Sequence, residues 1–118
     1  YLTHRWGSAD EDELKASFTS IGAREPVIVE ADASQDEDTE SLMELVKQDH
    51  DSVFAVLSNV SFAHVSQGHE DLDKKSFLRS LGYSAWPFIG YLQAAHAAFG
   101  RYPRYAIGMS SRGPRKLT

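Results

Sequence analysis

Short β-branched runs alternate with stretches of helical apolar spacing along the whole chain, and this alternation constrains the fold more than any other feature. Val27-Ile28-Val29, Val53 to Leu57 and Tyr105 to Met109 are near-continuous apolar runs of the kind buried in parallel sheets. Tyr1 to Thr3 opens the chain as the remnant of a further strand. Between these runs, Leu14, Phe18 and Ile21 recur at helical spacing before Gly22, and Leu42, Met43, Leu45 and Val46 mark the inner face of a second helix. Ser8 and Thr39 are the expected N-caps of these two helices. Helical sequence around Phe77, Leu78 and Leu81 then leads into a long apolar helix from about Ser84 to Phe99. Strands separated by helices argue for βαβ units with right-handed crossovers. The expected class is α/β, an open parallel sheet with helices on both faces, built as a single domain over residues 1–118. Four strands are few for a doubly wound sheet, so the chain reads as the middle of something larger.

Composition narrows the chemistry. With 118 residues, 42% of them hydrophobic, the chain suffices for one sizeable core. No apolar run approaches the roughly 18 residues of a membrane span, and the first residues lack a basic-then-apolar signal pattern, so no membrane is expected and a cytoplasmic location is the default. Cysteine is absent, which excludes disulfides, thiolate metal sites and cysteine nucleophiles. The five histidines show no i,i+4 pair, and no metal site is expected.

Charge divides along the chain. Residues 1–51 hold 14 of the 17 acidic and 4 of the 12 basic residues, while residues 52–118 hold 3 and 8. Much of the acid lies at Asp10 to Glu13 and Asp36 to Glu40, ahead of helical patterns, where carboxylates favour the positive end of a helix dipole. The basic tail (Arg101, Arg104, Arg112, Arg115, Lys116) lacks aromatic interleaving beyond Tyr102 and Tyr105, and the overall charge is -5. Nucleic acid is therefore not an expected partner.

Open α/β sheets place their chemistry at the carboxyl ends of the strands, which directs attention to what each run delivers there. The first ends in His4-Arg5, the second in Ala31-Asp32-Ala33-Ser34, the third in Ser58-Asn59-Val60-Ser61 and the last in Met109-Ser110-Ser111. Taken alone, each has a bland reading: a surface arginine, a turn aspartate, a serine pair capping a strand end. A hydrolase elbow is not formed, because Gly108-Met109-Ser110-Ser111-Arg112 lacks the final glycine of Gly-x-Ser-x-Gly.

In their order these features resemble the short-chain dehydrogenase/reductase family, from that family's second strand to just past its fifth. The resemblance covers essentially the whole chain but about half of a complete family member, and implies a Rossmann-like sheet whose first strand and carboxyl-terminal part lie elsewhere. It implies that Arg5, with no carboxylate at His4, accommodates a 2′-phosphate, favouring NADP(H) over NAD(H). Asp32 and Ala33 resemble the third-strand ending, whose aspartate contacts the adenine amino group. Asn59 and Val60 fall on the motif usually written Asn-Asn-Ala-Gly, of which Asn59 alone is retained; Ser61 replaces the glycine. Ser111, or Ser110 in the adjacent register, matches the catalytic serine that hydrogen-bonds a substrate carbonyl. Ser84, or Tyr83 with a one-residue slip, stands where the family has an asparagine that helps hold a proton-relay water. The helix from Ser84 to Phe99 matches the one that packs against its mate in a second subunit, implying a homo-dimer or tetramer.

Two elements of that family are not found within these residues. No glycine has the spacing of the pyrophosphate-binding turn, and Tyr83, Tyr91, Tyr102 and Tyr105 have no lysine four residues on. The resemblance therefore implies an NADP(H)-dependent reductase of a carbonyl or enoyl compound, with the segment not catalytically complete by itself. The alternative expectation is a reductase-like subunit that binds or scaffolds without catalysis.

Overall fold

A computed structural model describes residues 1–5, 7, 9–62 and 65–110. Their elements run β1 (Leu2–His4), α1 (Glu11–Ser20), β2 (Ile28–Glu30), α2 (Asp36–Asp49), β3 (Ala55–Ser58), a 3-10 turn (His69–Asp71), α3 (Lys74–Ser84), α4 (Trp86–Phe99) and β4 (Tyr105–Gly108). The strands pair in parallel as β1 with β2 and β3 with β4, with Thr3 opposite Val29 and Leu57 opposite Ile107. The backbone pairing continues at the strand ends, where the Ala31 N–H donates to His4 and the Met109 N–H to Ser58.

The caps differ from the expected ones. Asp10 caps α1, its carboxylate accepting the Glu13 N–H at 3.1 Å; Ser8 lies outside the described residues. Helix α2 starts three residues before Thr39, with Asp36, Glu37 and Asp38 in its first turn. Thr39 is buried and donates its hydroxyl to the Gln35 carbonyl. The acidic run thus forms the first turn itself, where its charge meets the unpaired N–H groups.

The long apolar helix expected from about Ser84 to Phe99 starts two residues later. Ser84 closes α3, Ala85 intervenes, and α4 begins at Trp86 with Pro87 in its first turn. Proline has no N–H to donate back to the preceding turn, so the hydrogen-bond ladder breaks there although the apolar pattern runs on. At the far end Gly100 takes a left-handed conformation (φ 73°) and its N–H returns to His96.

Helix α2 packs on α4, which covers one face of β3 and also contacts α3. The buried apolar residues are Ala31, Leu42, Met43, Val46, Val56 and Ala95. Val56 faces α4 and is 7% exposed, while the next residue, Leu57, is 61% exposed on the opposite face. Register puts Ile107 beside Leu57 on that uncovered face, whereas Gly108 looks towards α4: a Cβ there would meet the Phe88 ring at 3.8 Å. None of the described helices is long and apolar enough to cross a membrane.

The two strand pairs do not bond to each other. Between them lies a groove of about 730 Å³ lined by Leu2 and Thr3 on one side, Ala55 to Leu57 on the other, and Met43 and Tyr91 among the helical residues. From this groove the chain steps outward from β1 to β2 in one direction and from β3 to β4 in the other. Because the chain steps away from the groove in opposite directions, the groove is the switch point of the topology.

Candidate functional site

At the carboxyl ends of β1 and β2, Arg5 and Asp32 meet. The Arg5 Nε lies 3.4 Å from the Asp32 Oδ2, with 23% and 11% of the two side chains exposed. The Asp32 Oδ1 accepts both the N–H and the hydroxyl of Ser34, at 2.9 and 2.7 Å, as expected of an aspartate closing a turn on itself. Its Oδ2 also accepts the Tyr83 hydroxyl at 3.3 Å. The Asp32 N–H donates to Asp38 Oδ2 at 2.8 Å, tying the strand end to the first turn of α2. Burial pushes the Asp32 carboxyl up, but the two Ser34 hydrogen bonds, the Arg5 charge and the Tyr83 hydroxyl outweigh it and hold the group below its ordinary value of 3.8. Asp32 is thus an anion with its acceptor positions largely engaged.

Tyr83 extends the cluster. The Arg5 guanidinium lies 4.6 Å from the centre of its ring, and Phe62 meets the ring edge-on with centroids 5.6 Å apart. Ser84 fixes Phe62 by a pair of backbone hydrogen bonds: its hydroxyl accepts the Phe62 N–H at 2.9 Å and donates to the Phe62 carbonyl at 2.6 Å. The single Ser84 proton is therefore engaged, leaving an oxygen lone pair as its remaining hydrogen-bonding capacity. Neither Phe62 nor Tyr83 is marked by local sequence periodicity, and the bond from Tyr83 to Asp32 spans 51 residues. The available signal for Tyr83 was its position beside Ser84 at the carboxyl end of α3.

His4 braces the same corner. Its side chain is 8% exposed, and Nε2 donates to the Glu11 carboxylate at 2.9 Å, fastening α1 over the end of β1.

The other expected residues fall on the second strand pair. Asn59 and Val60 follow β3 and line the wall of the groove; both are exposed. Ser110 is exposed two residues beyond β4, and Ala33 is half-buried beside Asp32. Ser111 lies outside the described residues, as do His64, Arg112, Arg115 and Lys116. The structure thus gathers Arg5, Asp32 and Ser84 around Tyr83 and Phe62, with Ala33 following Asp32 in the chain, while Asn59, Val60 and Ser110 occupy the ends of β3 and β4. Tyr91, inside the groove wall, is pushed up by burial first, with the charges of Asp38 and Asp32 adding to it. That is the direction opposite to a phenol prepared to lose a proton near neutrality.

No protein-family model matches the chain, and no curated protein matches it in sequence. Solved structures do. The enoyl-[acyl-carrier-protein] reductase (NADH) of Aquifex aeolicus is 18% identical and aligns over 98% of this chain and 50% of its own, with a TM-score of 0.75. The enoyl-acyl carrier protein reductase of Bacillus cereus, solved with NADP+ and indole naphthyridinone, is 18% identical over 81% of this chain and 38% of its own, at a TM-score of 0.69. A short-chain dehydrogenase of Burkholderia cenocepacia in complex with NADP is 16% identical over 80% and 38%, at 0.66. The chain has the short-chain dehydrogenase/reductase fold. It spans half or less of the length of these three structures. The Rossmann strand order 3-2-1-4-5 accounts for the groove: with β1 to β4 taken as the second to fifth strands, one position between β1 and β3 belongs to the first. This short-chain dehydrogenase/reductase architecture is therefore partial, and its switch point coincides with the end of that position.

Proposed function

We propose that the chain is the central part of an NADP(H)-dependent oxidoreductase that reduces a carbonyl or enoyl group. The observation that carries this reading is the meeting of Arg5, Asp32 and Tyr83 at the carboxyl ends of β1 and β2, beside the topological switch point where such sheets bind dinucleotides. A part-exposed guanidinium fits a 2′-phosphate, and an ionised carboxylate fits an exocyclic amine. The carboxylate admits that amine by exchange: of the hydrogen bonds to Asp32, the 3.3 Å bond from Tyr83 is the longest and the natural one to give way. NADPH, when bound, supplies a hydride to the substrate.

The chain's own residues divide the remaining work. Arg5 and Asp32 orient the adenosine end, with Ala33 alongside. Asn59 and Val60 flank the path towards the nicotinamide, Val60 and Ser61 narrowing it relative to the alanine and glycine of the family pattern. Ser111, with Ser110 as the adjacent-register choice, donates a hydrogen bond to the substrate oxygen as charge builds there. Ser84 holds Phe62 and offers its lone pair to a relay water. The tyrosine that supplies the proton belongs to a downstream Tyr-x-x-x-Lys pair. The exposure of Trp86 and Ile89 on α4 supports assembly into a homo-dimer or tetramer through this helix, and we place the protein in the cytoplasm.

A non-catalytic, reductase-like binding subunit is the second reading. It is favoured by Ser84, whose proton is engaged with Phe62. The full-length protein, incubated with NADPH and a panel of carbonyl and enoyl compounds, separates the two by absorbance at the nicotinamide band. Substrate-dependent oxidation of NADPH supports the enzyme. Tight nucleotide binding without oxidation supports the second reading, and absence of nucleotide binding overturns both.

A further inference from the structure

Arg79 stands one helical turn before Tyr83 on α3 and leans over the same aromatic cluster. Its guanidinium carbon lies 5.3 Å from the centre of the Phe62 ring and 5.9 Å from that of Tyr83. The Tyr83 ring therefore holds two guanidinium groups, Arg5 at 4.6 Å from β1 and Arg79 from α3. The two cations are not equally compensated. Arg5 pairs with Asp32, whereas no salt bridge among the described residues reaches Arg79, which is exposed. Asp38, in the first turn of α2, accepts the Asp32 N–H, and Asp36 accepts the Trp86 indole N–H.

We propose that Arg79 is a second phosphate-binding residue, closing with Arg5 on the 2′-phosphate of an adenosine nucleotide; this rests on the NADP(H) reading given above. A second cation improves the charge balance. A phosphomonoester carries between one and two negative charges near neutral pH, and Arg5 already shares its charge with Asp32. One half-neutralised arginine leaves the phosphate undercompensated, and a second guanidinium supplies the missing charge together with a planar fork of donors matched to phosphate oxygens. Both guanidinium groups lie within about 6 Å of the Tyr83 ring centre, the range in which cation–π attraction acts. Phe62, pinned by Ser84, keeps Arg79 from swinging away.

The test is an equilibrium titration of the full-length protein with adenosine 2′,5′-diphosphate and with 5′-AMP, each on wild type, Arg5→Met, Arg79→Gln and Arg79→Lys. Using the ratio of the two affinities on one protein sample removes any general loss of folding. We expect wild type to prefer the 2′-phosphorylated nucleotide and Arg5→Met to abolish the preference. Arg79→Gln lowers it about tenfold, the scale of one charge-assisted hydrogen bond, and Arg79→Lys restores part of it. A preference retained in full by Arg79→Gln but lost in Arg5→Met overturns the role of Arg79 and leaves the NADP(H) reading standing. No preference in wild type overturns both.

Discussion

The two strand pairs are built to different standards. At the ends of β1 and β2, Asp32 is held by Ser34, Arg5 and Tyr83, and His4 by Glu11, with the key side chains mostly buried. At β3 and β4, one face is covered by α4 while all four residues of β4 are exposed, as are Asn59, Val60 and Ser110 beyond the strand ends. The first pair makes its own site from turn chemistry and one aromatic side chain. The second presents a rail whose chemistry depends on what is laid against it. On the proposed reading, the residues for the adenosine end of a dinucleotide are therefore gathered within this segment, while those for the reacting end are not.

Mutation of Asp32 gives the largest contrast. Asp32→Ala removes the acceptor of the Ser34 N–H and hydroxyl and the Arg5–Asp32 ion pair and is expected to reduce unfolding free energy by about 2 to 3 kcal/mol, whereas Ser110→Ala, at an exposed position, costs less, about 1 kcal/mol at most. Urea denaturation of both variants checks this, and equal effects would erase the distinction between the strand pairs.

The second contrast lies within one strand. Val56→Ala removes buried methyl groups against α4 and should cost about 2 kcal/mol. Leu57→Ala, at a side chain facing solvent, should cost less than about 0.5 kcal/mol. A large Leu57 effect, read from the same denaturation curves, would mean that the open face is covered in the working protein.

Acid sharpens the comparison further. The folded-state value of Asp32 is depressed, so its contribution is complete above the ordinary value of 3.8 and is lost as pH falls through the lower, folded value. Stability should decline on acidification below that point, and more shallowly in Asp32→Asn. A thermal-melting series across this range gives the slope, and identical slopes would remove the anionic Asp32 from the account.

The smallest expected effect concerns Tyr83. Tyr83→Phe keeps the ring beneath Arg5 but removes the long hydrogen bond to Asp32, costing less than about 0.5 kcal/mol. By opening an acceptor position it should tighten 5′-AMP binding slightly, as measured by calorimetry. Weakened binding would show that the hydroxyl serves the ligand rather than yields to it.

What could be read in advance follows from the range of the interactions. Parallel strands announce themselves by β-branched runs, and the order of strands and helices was legible from Val27 to Met109. The position of Arg5 and Asp32 at the carboxyl ends of β1 and β2 was legible from the strand order, and their contact with each other was not. The caps were not legible, because acidic residues ahead of each helix compete for the same unpaired N–H groups: Asp10 takes the cap of α1, and α2 starts at Asp36 after Gln35, whose side chain makes no capping bond. The break between α3 and α4 was legible to within two residues, and Pro87 fixes it at Ala85. Tyr83, Phe62 and Arg79 were hidden because their roles arise from tertiary packing across tens of residues, which no local period encodes.

The most direct test of the central claim is fluorescence titration of the full-length protein with NADPH and NADH, on wild type and on Arg5→Met. The account predicts that wild type binds NADPH at least about tenfold more tightly, the worth of a charge-assisted phosphate contact, and that Arg5→Met loses this margin with NADH binding unchanged. Equal affinity for the two nucleotides, or an equal loss of both in Arg5→Met, would contradict it.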